Sequence, residues 1–195
     1  IGGYDVKDGV LIPRYNHGEV IEAVFRRTRV TVGVMTAAKL LSAVEPIIRY
    51  QRGRFRGAET ATPGSVRYEL GLQQREDALH RLVDVWATGE AAASLGFATA
   101  RLFDEVDPLE VKKDEVFAAR GVERGRAQFR AMAAVEKDAL EFLRLGHVPE
   151  GVRHEKYELL QGDPLVQFAI LDAQANVLCP ASKLWNTGHG ANVMR

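Results

Sequence analysis

The sequence predicts a mainly α-helical fold, an antiparallel helical bundle with a short β-hairpin at its N-terminal end. Three observations carry this. From about Glu19 onward, apolar residues recur at spacings of three and four, as amphipathic helices require. Breaks rich in Gly and Pro join these runs, and short connections make neighbouring helices antiparallel. Before Asn16, two short apolar runs flank Asp8-Gly9, a strong hairpin signal.

The elements follow in order. Tyr4-Asp5-Val6-Lys7 and Val10-Leu11-Ile12 read as strands, with Pro13 closing the second. Two short strands are marginal alone in water, so the hairpin is expected to be a remnant of a larger sheet. A first helix is predicted from Glu19 to Arg52, with a kink between Ser42 and Pro46 because Pro46 lacks an N–H. A second runs from about Ser65 to Asp104, and Asp107-Pro108 should break it. A third spans about Leu109 to Leu145, with Gly121 and Gly125 as weak points. A short helix is expected at Glu155–Leu160. The last begins at Asp163, an N-cap with Pro164 in the first helical position, and Pro180 should kink it.

With 195 residues, 46% of them apolar, a sizeable core can form and wholesale disorder is excluded. Twenty-six basic residues face twenty-six acidic ones, so a generally basic nucleic-acid binder is disfavoured. A single cysteine, Cys179, excludes an intrachain disulfide framework and a Cys-based zinc site, and suits a cytoplasmic setting. No stretch offers the roughly 18 uncharged apolar residues of a bilayer span. The chain begins Ile1-Gly2-Gly3, without a secretory signal, and stops at Arg195 inside a helical pattern. Both ends read as those of a fragment. The expected organisation is residues 1–18 as the end of a β-domain, then 19–195 as an incomplete helical domain with an insertion at about 109–162.

Several chemistries find no support. A di-iron bundle needs Glu-x-x-His on two helices. Glu76…His80 and Glu150…His154 have a different spacing, and the first reads as a surface pair. No metal site, phosphate loop, dinucleotide fingerprint or nucleophile motif is present. Cys179 reads as a small core residue.

Three clusters remain. Arg49-Tyr50-Gln51-Arg52-Gly53-Arg54-Phe55-Arg56-Gly57 could hold a phosphate or pyrophosphate through guanidinium forks, stack single-stranded nucleic acid, or simply complement the negative end of a helix dipole. Arg26-Arg27-Thr28-Arg29 places cations near the positive end of the first helix, which costs energy unless acidic side chains or an anionic ligand compensate. Asn186, His189 and Asn192, at i, i+3 and i+6 with Gly188 and Gly190, suggest either an interhelix hydrogen-bonded contact or a close approach to a ligand.

Phe25-Arg26-Arg27-Thr28-Arg29, followed about 25 residues later by Tyr50-Gln51-Arg52-Gly53-Arg54-Phe55-Arg56-Gly57, resembles the acyl-CoA dehydrogenase family. The first matches the aromatic–x–x–Thr/Glu–Arg opening of its C-terminal helical domain. The second is similar to its Tyr–x–x–x–Arg–x–x–Phe–Gly element, tighter after Tyr and with Arg56 before the glycine. Ala181-Ser182-Lys183-Leu184-Trp185 resembles the Ala–x–x–Lys–x–Phe stretch of a later helix. The likeness covers about Val6–Glu90 and Asp163–Arg195.

The resemblance implies an FAD-dependent flavoprotein oxidoreductase that converts acyl-CoA thioesters to 2,3-enoyl-CoA. It implies that Arg52, Arg54 and Phe55 touch the FAD of a neighbouring subunit, with Gln73 or Gln74 reaching adenine. It places Phe25, Thr28 and Arg29 at the acyl-CoA site. Thr28 stands where some branches carry the catalytic Glu and cannot act as that base. No catalytic residue is therefore expected within the chain, and the fragment alone should be inactive. A homotetramer, passing electrons to an acceptor such as an electron-transferring flavoprotein, is also implied. Alternatives are a flavin-dependent oxidase or N-hydroxylase of the same fold, a non-enzymatic helical interaction module, and a single-strand nucleic-acid binder acting through Arg49 to Arg56.

Overall fold

A computed structural model describes residues 3–13, 15–52, 76–123, 125–150 and 155–195. It is mainly helical and opens with an antiparallel hairpin of β1 (Tyr4–Lys7) and β2 (Val10–Pro13), in which Val6 faces Leu11. Asp8 and Gly9 have φ of 53° and 79°, the double positive turn that matches strand twist. All eight strand residues are exposed.

Five helices follow among the described residues: α1 (His17–Arg52), α2 (Glu76–Ala119), α3 (Arg126–Gly146), α4 (Glu155–Gly162) and α5 (Pro164–Val193). Asn16 caps α1, its Oδ1 accepting from the Gly18 amide at 2.9 Å. Helix α1 continues through Pro46. Over Val20–Gln51 it is long and apolar enough to span a membrane by length and composition, a test that core helices also pass.

The predicted break at Asp107-Pro108 is wrong, since Pro108 lies inside α2. Leu82, Val85, Gly89, Ala92, Gly96, Thr99, Phe103, Val106 and Phe117 are all buried at spacings that fit one heptad register. That stripe, carried between Val106 and Phe117 by the half-buried Glu110 and Lys113, outweighs one lost backbone hydrogen bond. The separation falls instead at the glycines. Gly121 has φ of 67°, its amide bonds to the Ala118 carbonyl, and the Val122 amide reaches back to the Phe117 carbonyl at 2.9 Å. This is a Schellman end, which needs a left-handed residue after the helix. Gly125, with φ of 91°, precedes α3. The predicted start of α5 agrees, with Asp163 Oδ1 accepting from the Leu165 amide at 2.8 Å.

The chain divides into two compact units, Ile1–Ala98 with Cys179–Arg195, and Thr99–Leu178. In the first, α1 and α2 run antiparallel. A methyl on Gly96 would meet Val34 at 2.9 Å and one on Gly89 would meet Leu41 at 2.8 Å, so glycine permits this close approach. Helix α5 runs parallel to α1, with Cys179 against Arg26, Asn186 against Gly33, and Gly190 against Thr36 and Leu40.

In the second unit, α3 packs on α4 and α5. Ala139, Leu160, Val166 and Ile170 form a core flanked by Val135, Phe142, Leu145 and Ala169. Phe142 stacks on Tyr157 at 4.8 Å. The largely buried Lys113 side chain sets its ammonium 4.5 Å from the Phe168 ring centroid, a cation–π contact, within reach of Asp114 at 3.5 Å.

Candidate functional site

The first turns of α1 place Phe25, Thr28 and Arg29 on adjoining surface positions, because i, i+3 and i+4 are helix neighbours. Phe25 is 55% exposed. Thr28 is also exposed, and its hydroxyl donates to the Phe25 carbonyl at 3.3 Å. Ile21, Val32 and Met35 extend the same outer stripe. Arg29 differs. It is half-buried, as is Arg26, and both guanidiniums act on Cys179 of α5.

Cys179 is buried and its Sγ donates to the Arg26 carbonyl at 3.1 Å. Burial raises the thiol pKa, while Arg29 and then Arg26 pull it down; burial prevails. A thiol held protonated is a poor nucleophile, which fits the core reading of this residue. The two arginines supply fork-shaped N–H donors, the type that binds phosphate or carboxylate bidentately.

At the far end of α1, Arg49 forms an exposed ion pair with Glu45 at 2.6 Å, the local charge compensation expected of a solvated helix end. Tyr50 is exposed. Arg52 closes the helix, but its side chain lies outside the description, and Arg54, Phe55, Gln73 and Gln74 lie outside the described residues. From Phe25 to Arg52 the helix spans about 40 Å, so the two motifs of α1 occupy opposite ends of one rod.

The polar residues of α5 part company. Asn186 is fully buried, with Nδ2 donating to the Gly33 and Ala92 carbonyls at 3.1 Å each. It thereby ties α5 to both other helices of its unit, the interhelix reading of this cluster. His189 packs beside Trp185 with ring centroids 5.2 Å apart, and Asn192 is exposed. Of the two glycines, Gly190 permits close approach and Gly188 has open space. Sequence reasoning missed the seam formed by Arg26, Arg29 and Gly33 against Cys179, Ser182 and Asn186. The heptad spacing of the last three could have revealed it.

Among the described residues no group of three or more His, Cys, Asp or Glu could hold a metal ion. No family model matches the chain, and no curated protein or solved structure matches it significantly.

Proposed function

We propose that the chain is part of the helical domain of an acyl-CoA dehydrogenase-like flavoprotein, whose reaction removes the α and β hydrogens of an acyl-CoA thioester. The observation that carries this reading is the order of motifs in the sequence: Phe25-x-x-Thr28-Arg29, then Tyr50 to Gly57, then Ala181 to Trp185. Support comes from α1, which carries the first motif and the start of the second on one uninterrupted helix. A partner site at each end of that rod accounts for cations at both.

In this reading Phe25 lines the acyl or CoA channel, and Arg29 presents a guanidinium to an anionic or carbonyl group of the substrate. Arg52, Arg54 and Phe55 hold the FAD of a neighbouring subunit, and Gln73 or Gln74 contacts its adenine. FAD, when bound, supplies the acceptor for the β hydride. Thr28 is not the base: its hydroxyl is engaged by the Phe25 carbonyl, and it has no basic form near neutral pH. The α proton goes to a carboxylate outside these residues. An electron-transferring flavoprotein reoxidises the flavin, and the domain assembles as a homotetramer in the cytoplasm.

One observation favours a second reading, a non-enzymatic interaction module. Phe25, Val32 and Met35 on α1, and Leu79, Val83, Trp86 and Phe97 on α2, are all exposed, and a partner covering either row would bury them. The two readings separate in one assay. The chain is expressed with its natural flanking sequence, its flavin spectrum is recorded, and acyl-CoAs are offered with an artificial electron acceptor. Bound FAD and enoyl-CoA formation support the enzyme. A flavin-free protein that leaves every acyl-CoA untouched overturns it.

A further inference from the structure

Ser182 and Asn186 are one turn apart on α5, and both are fully buried. A methyl built on Gly33 would lie 3.3 Å from Ser182 Oγ and 3.2 Å from Asn186 Nδ2, so both side chains lie over the same glycine of α1. The orientation of the Asn186 amide is fixed by its surroundings. Its Nδ2 faces two carbonyl oxygens, and the flipped amide would set oxygen against oxygen. The amide oxygen Oδ1 is thus turned elsewhere, and neither it nor Ser182 Oγ has a hydrogen-bond partner.

The serine is the more telling of the two. Thr28, Thr36, Ser42 and Thr187 each return the hydroxyl hydrogen to a carbonyl three or four residues back, the usual habit of a helical hydroxyl. Ser182 does not. A donor and an acceptor without partners therefore sit one helical turn apart on α5, and both are buried away from bulk solvent. Water is the one ubiquitous species that accepts from a hydroxyl and donates to an amide oxygen at once.

We propose that Ser182 Oγ and Asn186 Oδ1 together bind one buried water molecule between successive turns of α5. The water accepts the serine hydrogen and donates to Oδ1, completing the hydrogen bonding of the residue that joins the three helices. A methyl at Gly33 would press on the Ser182 hydroxyl and the Asn186 amide nitrogen, and both side chains would have to give by a few tenths of an ångström.

The test is a crystal structure of the chain at a resolution that shows ordered waters, with a second structure of Ser182→Ala. The expected result is one water within hydrogen-bonding distance of both atoms, absent from the variant. A direct Ser182–Asn186 hydrogen bond, or a Ser182 hydroxyl bonded to the Leu178 carbonyl with no water beside Oδ1, overturns the proposal. A water that persists unchanged in Ser182→Ala also overturns it. Should crystals fail, transfer of magnetisation from long-lived water to the Asn186 side-chain amide, present in the wild type and lost in Ser182→Ala, reads the same site in solution.

Discussion

Asn186 Nδ2 donates to the Gly33 carbonyl at 3.1 Å, and the same amide reaches Ala92 across the helix crossing. Both carbonyls lie inside helices, in α1 and α2, where the backbone ladder already engages them. Removing the asparagine therefore orphans neither. It removes two interhelix bonds and leaves a void. Asn186→Ala is expected to destabilise the fold by about 2–3 kcal/mol. Urea unfolding should show a lower midpoint with an unchanged slope. A midpoint equal to that of the wild type would contradict the role given to this residue.

Two glycines should respond to alanine in opposite directions. At Gly96 the new methyl would lie 2.9 Å from Val34 Cγ2, and a β-branched side chain has few rotamers in which to yield. The overpacking cost, about 1–3 kcal/mol, exceeds the gain of about 1 kcal/mol in helix propensity. At Gly188 nothing lies within 4 Å, so only the gain remains. Thermal unfolding should show Gly188→Ala above the wild type and Gly96→Ala below it. A Gly96→Ala variant as stable as the wild type or more so would refute the close α1–α2 approach.

The local signals in the sequence were accurate where a single residue decides the geometry. Asp8-Gly9 marked the hairpin turn, Asp163-Pro164 the start of α5, and Gly121 and Gly125 the weak points that became the break. Pro108 misled because its local penalty competes with a buried stripe running from Leu82 to Phe117, and packing summed over many turns is the larger quantity. At the candidate site, Phe25, Thr28 and Arg29 were legible as neighbours by spacing alone. The burial of Arg29 beside Cys179 was not, because about 150 residues of chain separate the two and no local rule links them.

Asp163 supplies a cap that can be tested by itself. Its carboxylate accepts from the Leu165 amide at 2.8 Å, satisfying one of the free donors at the start of α5 and complementing the helix dipole. Asp163→Ala should cost about 1 kcal/mol, and Asp163→Asn or Asp163→Ser should recover most of it. Equal stability of the Ala and Ser variants, measured by chemical denaturation, would show that the hydrogen bond contributes nothing.

Cys179 gives a pH dependence with a definite sign. Burial holds its folded pKa above the ordinary thiol value, against the pull of Arg29 and Arg26. An unfolded thiol loses its proton near about pH 8.5. Between that pH and the folded pKa the native state binds more protons than the unfolded state, so stability falls as pH rises. The contribution is complete below the unfolded pKa and disappears as pH climbs through the folded one. Lysines and tyrosines also titrate in this range, so the informative quantity is the difference between the wild type and Cys179→Ala. Comparing urea midpoints from about pH 7 to pH 10, the wild type should lose more stability than the variant. Parallel profiles would show that the thiol is not desolvated. An alkylating reagent at neutral pH should likewise label native Cys179 far more slowly than the unfolded chain, since its sulfur is both buried and protonated.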